Sequence, residues 1–215
     1  MSNQQDISAI RKDYSLQTLD EKEVNSNPFS QFNIWLEEAI NAQITEPTAM
    51  NLSTITKNNY PSSRIVLLKE VQKDGFVFFT NYQSKKGQDM YHNPFVALNF
   101  FWADLERQIR IEGIIEKIPQ FDSLEYFVSR PKASQLGAVA SPQSQKVENR
   151  AFLEQQFERL EKQYEDKQVL KPTEWGGYKV IPSYFEFWQG RRSRLHDRII
   201  FEKENNQWNI ARIAP

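Results

Sequence analysis

Arg64-Ile65-Val66-Leu67-Leu68-Lys69, then Asp74-Gly75, then Phe76-Val77-Phe78-Phe79-Thr80: the fold class turns on this stretch. A branched apolar run with a cation at each end, a turn dipeptide and a second apolar run read as two strands joined by a tight turn. Outward from it, residues 95–102 and 108–116 read as a hairpin around 103–106, and 84–93 as a short helix capped by Ser84 and ended before Pro94. Asn27-Pro28 looks like a cap followed by proline at the first helical position. Behind it Phe29, Phe32, Trp35, Leu36, Ala39 and Ile40 fall at helical spacing. Two more helices are predicted over 122–130, stopped by Pro131, and over 147–167. Strands return over 177–181, 183–188, 198–203 and 207–213. Short strands at even spacing with helices inserted predict an α+β fold, a closed or split β-barrel with helical additions. Residues 1–26, polar and mixed in charge, read as a mobile arm, and 27–215 as a single domain.

Composition narrows the chemistry. Of 215 residues, 39% are hydrophobic and 13% aromatic, enough for a core and unlike a disordered chain. A formal net charge of −1 provides no bulk cationic field for nucleic acid or anionic membrane, so any phosphate must be held by a few placed cations. The absence of cysteine excludes disulfides and thiolate catalysis and suits a reducing compartment; with two histidines, His92 and His196, no metal site is expected. No apolar leader or bilayer-length run is visible, so a cytoplasmic protein is expected. Neither glycine-rich phosphate loop, G-x-G-x-x-G or G-x-x-x-x-G-K-[ST], occurs, nor do G-x-S-x-G and H-E-x-x-H. A nucleotide cofactor would have to be held by side chains on strands and short helices.

Several cations stand at strand ends and helix faces. Arg64 and Lys69, five apart, would face opposite sides of a continuous strand, each serving an anion or snorkelling at an edge. Ser84-Lys85-Lys86 at a helix start combines free N–H groups with two ammonium charges, a phosphate seat or a solvated turn. Tyr126 and Arg130 stand at i and i+4, with Ser134 just past Pro131, which makes either a phosphate clamp or a surface pair. The densest group is Trp188-Gln189-Gly190-Arg191-Arg192-Ser193-Arg194-Leu195-His196-Asp197-Arg198, open to a cation-binding partner or nucleic acid and suited equally well to a planar anionic ligand. Arg194 and His196, two apart, would share one face of an extended segment; the alternative is a surface strand end neutralised by Asp197.

These residues resemble the pyridoxine (pyridoxamine) 5′-phosphate oxidase family, of the FMN-binding split-barrel fold. The stretches that carry the resemblance are residues 64–69, Phe78-Phe79-Thr80-Asn81, Ser129-Arg130-Pro131-Lys132, Phe187-Trp188-Gln189-Gly190, Arg194-Leu195-His196-Asp197-Arg198 and Arg212-Ile213-Ala214-Pro215, in family order at compatible spacing. The resemblance implies a homodimer with FMN at the interface and oxidation of pyridoxine or pyridoxamine 5′-phosphate by oxygen. It implies FMN contacts from Arg64, Ile65, Val66, Leu67, Leu68, Lys69, Phe79, Thr80, Lys85 and Lys86, completed by Gln108, Gln143, Ser144, Trp188 and Arg198. The substrate phosphate would fall to Lys69, Tyr126, Arg130 and Ser134. Arg194, Leu195 and His196 would border the pyridine ring, Arg194 and His196 as catalytic residues, under a flap made by Arg11, Lys12, Asp13 and Tyr14. Lys85 replaces the family's usual arginine, residues 20–27 depart from its Asp-Leu-Pro pattern, and Ile213 replaces its leucine. The competing readings are a flavin reductase or another FMN oxidoreductase of this fold, and a non-catalytic FMN or pyridoxal-phosphate carrier. Turnover with oxygen separates the carrier from the enzyme.

Overall fold

The computed structural model describes residues 13–215. Nine strands and five α-helices are present among them, in the order α1 (Pro28–Asn41), β1 (Ala49–Ile55), β2 (Pro61–Leu67), β3 (Glu70–Gln72), β4 (Gly75–Asn81), α2 (Lys85–His92), β5 (Phe95–Trp102), β6 (Arg107–Lys117), α3 (Gln120–Ser129), α4 (Lys132–Ala140), α5 (Arg150–Gln163), β7 (Trp175–Gln189), β8 (Asp197–Glu204) and β9 (Gln207–Arg212). The strands are ordered β2-β1-β5-β6-β7-β4-β3, with β8 paired to β7 and β9 to β8. Residue contacts divide the chain into two compact units. One holds the residues up to Pro47 with Asn99–Ile111 and Tyr184–Pro215; the other holds Thr48–Leu98 and Glu112–Ser183.

The first unit is built on α1. Asn27 Oδ1 accepts the N–H groups of Phe29 and Ser30 at 2.9 and 3.3 Å, and Pro28 occupies the first turn, where its missing N–H costs nothing. Phe29, Phe32, Trp35 and Ala39 are buried, whereas Ile40, expected on the same stripe, is exposed because it lies a further 100° round the helix from Ala39. The buried rings meet edge to face: Phe29 on Phe185, Phe32 on Phe100 and Trp35 on Phe187, at 5.1–5.3 Å between centroids. Arg107 is buried beside them. It donates to Gln189 Oε1 at 3.0 Å, to Glu38 and to Gln17, and lies over the Trp35 ring. The described part of the predicted arm is tied down here. Ser15 and Leu16 donate their N–H groups to the buried Glu106 carboxylate at 2.7 and 3.1 Å, and Leu19 donates to Asp197.

In the second unit β1 alternates regularly, turning Met50, Leu52 and Thr54 inward. Its partner β2 ends at Leu67, so the expected strand to Lys69 is cut short. Leu68 donates to Thr48 O and Lys69 to Val77 O, and the parity argument that set Arg64 and Lys69 on opposite faces does not apply. The short β3, absent from the sequence reading, pairs with β4 around the predicted turn. The strands expected over 177–181 and 183–188 form one 15-residue strand, β7, continuous through Pro182. The helix expected over 147–167 is shorter at both ends, and Pro131 begins a helix, α4, as well as ending one. Phe127, Leu136, Leu160, Val169 and Trp175 pack together from α3, α4, α5 and β7. No helix among the described residues is long and apolar enough to cross a membrane.

The register of β4 on β7 sets Thr80 opposite Gly176 and Phe79 opposite Gly177. At Gly176 a methyl group would stand 2.1 Å from the Tyr82 hydroxyl oxygen and 3.0 Å from Ser123 Oγ, and Tyr82 is buried with little room to yield. Gly176→Ala is therefore expected to destabilise the protein by about 2 kcal/mol, read as a lower urea midpoint at unchanged m-value. An unchanged midpoint would show that Tyr82 moves freely.

Candidate functional site

A cavity of about 740 Å³ opens in the second unit, within the size range of cofactor and substrate sites. Ile65, Val66 and Leu67 of β2 line it together with Lys69, and Phe79, Thr80 and Asn81 of β4 follow. Lys86 reaches it from the first turn of α2, and Gln143 from the segment after α4. Tyr126, Arg130, Pro131, Ser134 and Trp175 complete the wall used below.

Two cationic groups lie at this space: Lys86 of the first and Lys69 and Arg130 of the second line it, whereas Arg64 and Lys85 of the first are not among its lining residues. In the first, Ser84 caps α2 by accepting the Gly87 N–H at 3.3 Å, which directs Lys86 inward. Lys86 is 9% exposed and its Nζ donates to Thr80 Oγ1, Ser84 Oγ and Gln143 Oε1 at 3.1–3.4 Å. All three acceptors are neutral. Burial, with the Arg64 charge adding to it, pushes the Lys86 ammonium below the usual lysine range. Arg64 is held from both ends: Nη1 donates to Thr54 Oγ1 at 2.7 Å and Leu52 O at 3.2 Å, and Nη2 to Ser62 Oγ at 2.8 Å and Asp89 Oδ2 at 3.5 Å. Lys85 points to Ser62 Oγ and Asp89 Oδ2, at 2.8 and 3.3 Å.

In the second group, Tyr126 stacks on Phe79 at 3.9 Å, and both rings lie nearly parallel to Trp175. Arg130 lies past the end of α3 in an extended conformation, so it does not share one helix with Tyr126 as expected, although both line the cavity. Its guanidinium instead sits 4.9 Å from the Trp175 ring centroid, with Nη2 donating to Ser134 O at 2.7 Å. Nη1 is buried with no hydrogen-bond partner among the described residues. Burial lowers the Arg130 pKa and raises that of Tyr126, and each ion opposes the other's shift. None of Lys69, Lys86 and Arg130 is ion-paired among the described residues.

The other expected site residues are placed differently. Leu68 is buried in the core and does not line the cavity, and Ser144 is exposed with a left-handed φ of 70°. Gln108, Trp188, Arg194, Leu195, His196 and Arg198 belong to the first unit. There the segment from Arg192 to Arg194 is one 3-10 turn, not an extended strand, and Ser193 and Arg194 have φ of 57° and 61°. Two consecutive non-glycine residues in the left-handed region cost roughly 1–2 kcal/mol each. Arg194 and Leu195 are exposed. His196 is held inward: its Nδ1 accepts the Arg191 N–H at 3.0 Å, and its ring packs on Trp188 and Tyr14. Burial and the Arg194 charge lower its pKa, with Asp197 opposing them. Asp197 pairs with Arg191 and Arg212, not with Arg194. Arg198 donates from Nε and Nη2 to Glu186 at 2.7 and 2.9 Å, and Arg110 reaches the same carboxylate. Asp13 is exposed, while Arg11 and Lys12 lie outside the described residues.

Trp175, Asn81 and, apart from Ser134, the α4 wall are not legible as site residues in the sequence, where Pro131 reads as a helix stop and gives no sign of the helix it also begins. Asp89 is missed as well, although Lys85 and Asp89 are spaced i, i+4 on a helix already expected.

Residues 36–164 match the family described as pyridoxamine 5′-phosphate oxidase, and residues 175–215 match the pyridoxine 5′-phosphate oxidase C-terminal dimerisation region. A pyridoxine/pyridoxamine 5′-phosphate oxidase of Cyanothece sp. is 50% identical over 97% of this chain and 98% of its own length. One from Leptospira interrogans is 51% identical, again over 97% and 98%. Among solved structures, PhzG from Burkholderia lata, in complex with tetrahydrophenazine-1-carboxylic acid, matches with a TM-score of 0.88 at 25% identity, covering 94% of this chain and all of that one. A pyridoxamine 5′-phosphate oxidase-related, FMN-binding protein from Nostoc punctiforme matches in fold, with a TM-score of 0.70 at 14% identity over 87% and 97% of the two chains. The α+β split-barrel class expected from the sequence is thus the fold of this chain.

Glu186 gives a pH dependence. Burial raises its pKa, but the hydrogen bonds from Arg198 and the charges of Arg198 and Arg110 outweigh burial and leave it below the ordinary glutamate value. A carboxyl depressed in this way adds stability that is present above its unfolded pKa and lost as pH falls through the folded one. Melting temperature should therefore drop more steeply in wild type than in Glu186→Gln between about pH 5 and pH 3. Parallel acid limbs would show that Glu186 is not depressed.

Proposed function

The chain belongs to the pyridoxine/pyridoxamine 5′-phosphate oxidase family, and from that premise we propose that it oxidises pyridoxine or pyridoxamine 5′-phosphate to pyridoxal 5′-phosphate. FMN is the cofactor and oxygen the acceptor; hydrogen peroxide is released, with ammonia from the amine. The observation that carries this reading is one cavity bordered by two cationic groups, neither neutralised at Lys86, Lys69 or Arg130. A cofactor phosphate and a substrate phosphate need one such seat each, whereas a flavin reductase or a simple flavin carrier needs only the first.

The residues fit a flavin mononucleotide. Lys86, Arg64 and Lys85, with Thr80 and Gln143, would hold its phosphate, and Ile65 to Leu67 offer an apolar edge for the ring. FMN when bound supplies a hydride acceptor that oxygen reoxidises. Lys69, Tyr126, Arg130 and Ser134 would hold the substrate phosphate, so that remote binding energy keeps the reacting C4′ carbon in register. The Phe79–Tyr126 stack and the Trp175 face beneath Arg130 fix the directions of two of these groups. Arg194 and His196 are assigned to the pyridine ring, with Tyr14 of the N-terminal segment above it. His196, whose Nδ1 accepts the Arg191 N–H, serves to orient the ring and not to act as an obligatory base. Gln108, Ser144, Trp188 and Arg198 are assigned to FMN.

Assembly as a homodimer, each site drawing on both chains, is supported by the match of residues 175–215 to a dimerisation region. Ile65, Leu67, Phe95 and Ile114 also leave exposed apolar surface in the second unit. Residues 27–215 are taken to work as one domain, since β5, β6 and β7 each contribute residues to both compact units. The lack of cysteine supports a cytoplasmic, reducing location.

Denatured protein should release free FMN, one per chain; release of FAD, or no flavin after reconstitution, would sink the cofactor assignment. Arg130→Ala should lower kcat/KM for the phosphorylated substrate by on the order of 2–3 kcal/mol and leave FMN content intact. Equal losses on unphosphorylated pyridoxine would make Arg130 structural. Arg194→Leu should keep FMN but slow anaerobic reduction of the flavin in stopped flow, and His196→Leu should slow it less. Wild-type reduction rates in both would remove these two residues from the site.

A further inference from the structure

Asp89 is a buried carboxylate in the middle of the first cationic group. It sits on α2 at 6% exposure, and its Oδ2 lies 2.9 Å from Thr54 Oγ1, 3.3 Å from Lys85 Nζ and 3.5 Å from Arg64 Nη2. A buried carboxylate needs hydrogen-bonding or cationic partners to offset its desolvation, and these three groups are its partners here. It makes no ion pair with Lys86, whose ammonium donates only to neutral oxygens.

The Thr54 hydroxyl links this carboxylate to Arg64. It has one proton to give, and the Asp89 carboxylate at 2.9 Å is a nearer and charged acceptor than Ser62 O at 3.3 Å, so donation to Asp89 leaves a lone pair directed at Arg64 Nη1, 2.7 Å away. Asp89 thus acts on both ends of the guanidinium, directly at Nη2 and through Thr54 at Nη1. It also shares Lys85 with Ser62. Without it, three cations with formal charge +3 would crowd one small region, and Arg64 and Lys85 would share only the neutral Ser62 hydroxyl, 2.8 Å from each. With it, the region carries +2, matching a phosphate monoester near its dianion.

We propose that Asp89 is a positioning residue for the cofactor: it orients Arg64 and Lys85 as a seat for a phosphate monoester and so makes the chain prefer a phosphorylated flavin over the same ring without phosphate. The inference rests on the reading of the cavity as an FMN site. It adds a residue that does not line the cavity.

FMN and riboflavin share their ring and differ at the phosphate, so their affinities separate a role in the seat from a role in the fold. Full-length protein stripped of flavin is titrated with each, following quenching of flavin fluorescence. Wild type should bind FMN much more tightly than riboflavin. Asp89→Ala should weaken FMN by on the order of tenfold, as loss of an outer-shell partner does at other charged sites, and leave riboflavin unchanged. Asp89→Asn keeps an acceptor for Thr54 and Arg64 and should fall between; if the alanine variant does not fold, a lowered FMN-to-riboflavin preference in the asparagine variant supports the proposal equally. Equal weakening of both flavins, or FMN binding that is unchanged or tighter, would overturn the role of Asp89 while leaving the FMN assignment standing. Wild type binding the two flavins equally would overturn the phosphate seat itself, and Asp89 with it.

Discussion

The antiparallel pairing of β4 with β7 is the constraint on which the cavity depends. Its register puts Phe79 and Thr80 opposite Gly177 and Gly176, with Trp175 opposite Asn81. Side chains on one strand face alternate, so a slip of one residue would turn Thr80 away from Lys86 and Phe79 away from Tyr126. The two glycines make this register possible, since Tyr82, Ser123 and Ile118 occupy the space that side chains there would need. From this pairing follow the placement of Trp175, the stack of Phe79 on Tyr126, and the seat that Trp175 gives Arg130.

Charge is handled in two ways along this chain. Glu186 with Arg198 and Arg110, and Asp197 with Arg191 and Arg212, are partnered and belong to the first unit's framework. Lys86 and Arg130 are largely removed from water yet matched only to neutral acceptors and ring faces. Burying a cation without a counterion costs several kcal/mol at a fully dry site, so a protein that keeps such groups beside a cavity gains most when an anion arrives. Asp89 stands between the two cases. It neutralises part of a cationic group without closing it, so that Arg64 and Lys85 are ordered in advance and Lys86 remains available.

The sequence by itself determined the class of fold and most of the residues beside the cavity. Asn27-Pro28, Ser84 and Asp74-Gly75 are local signals, and each marks the cap or turn expected of it, while the apolar runs mark where strands lie but not where each one ends. The motif stretches named the family on their own. Tertiary structure decided what depends on residues distant in sequence. Arg130 was expected on one helix with Tyr126, both pointing at one ligand; it leaves the helix and rests on the ring of Trp175, 45 positions later, and it lines the same cavity as Tyr126. Arg194 and His196 were expected on one face of an extended segment, yet Arg194 ends a left-handed turn without glycine, and the Arg191 N–H donates to His196 Nδ1. Asp89 carried a legible spacing to Lys85, but its contacts with Arg64 and Thr54 come from two other strands. Caps and alternation are set by neighbours within a few residues and survive in the sequence, whereas the partner of a buried charge is chosen by the packing of elements that only the folded chain brings together.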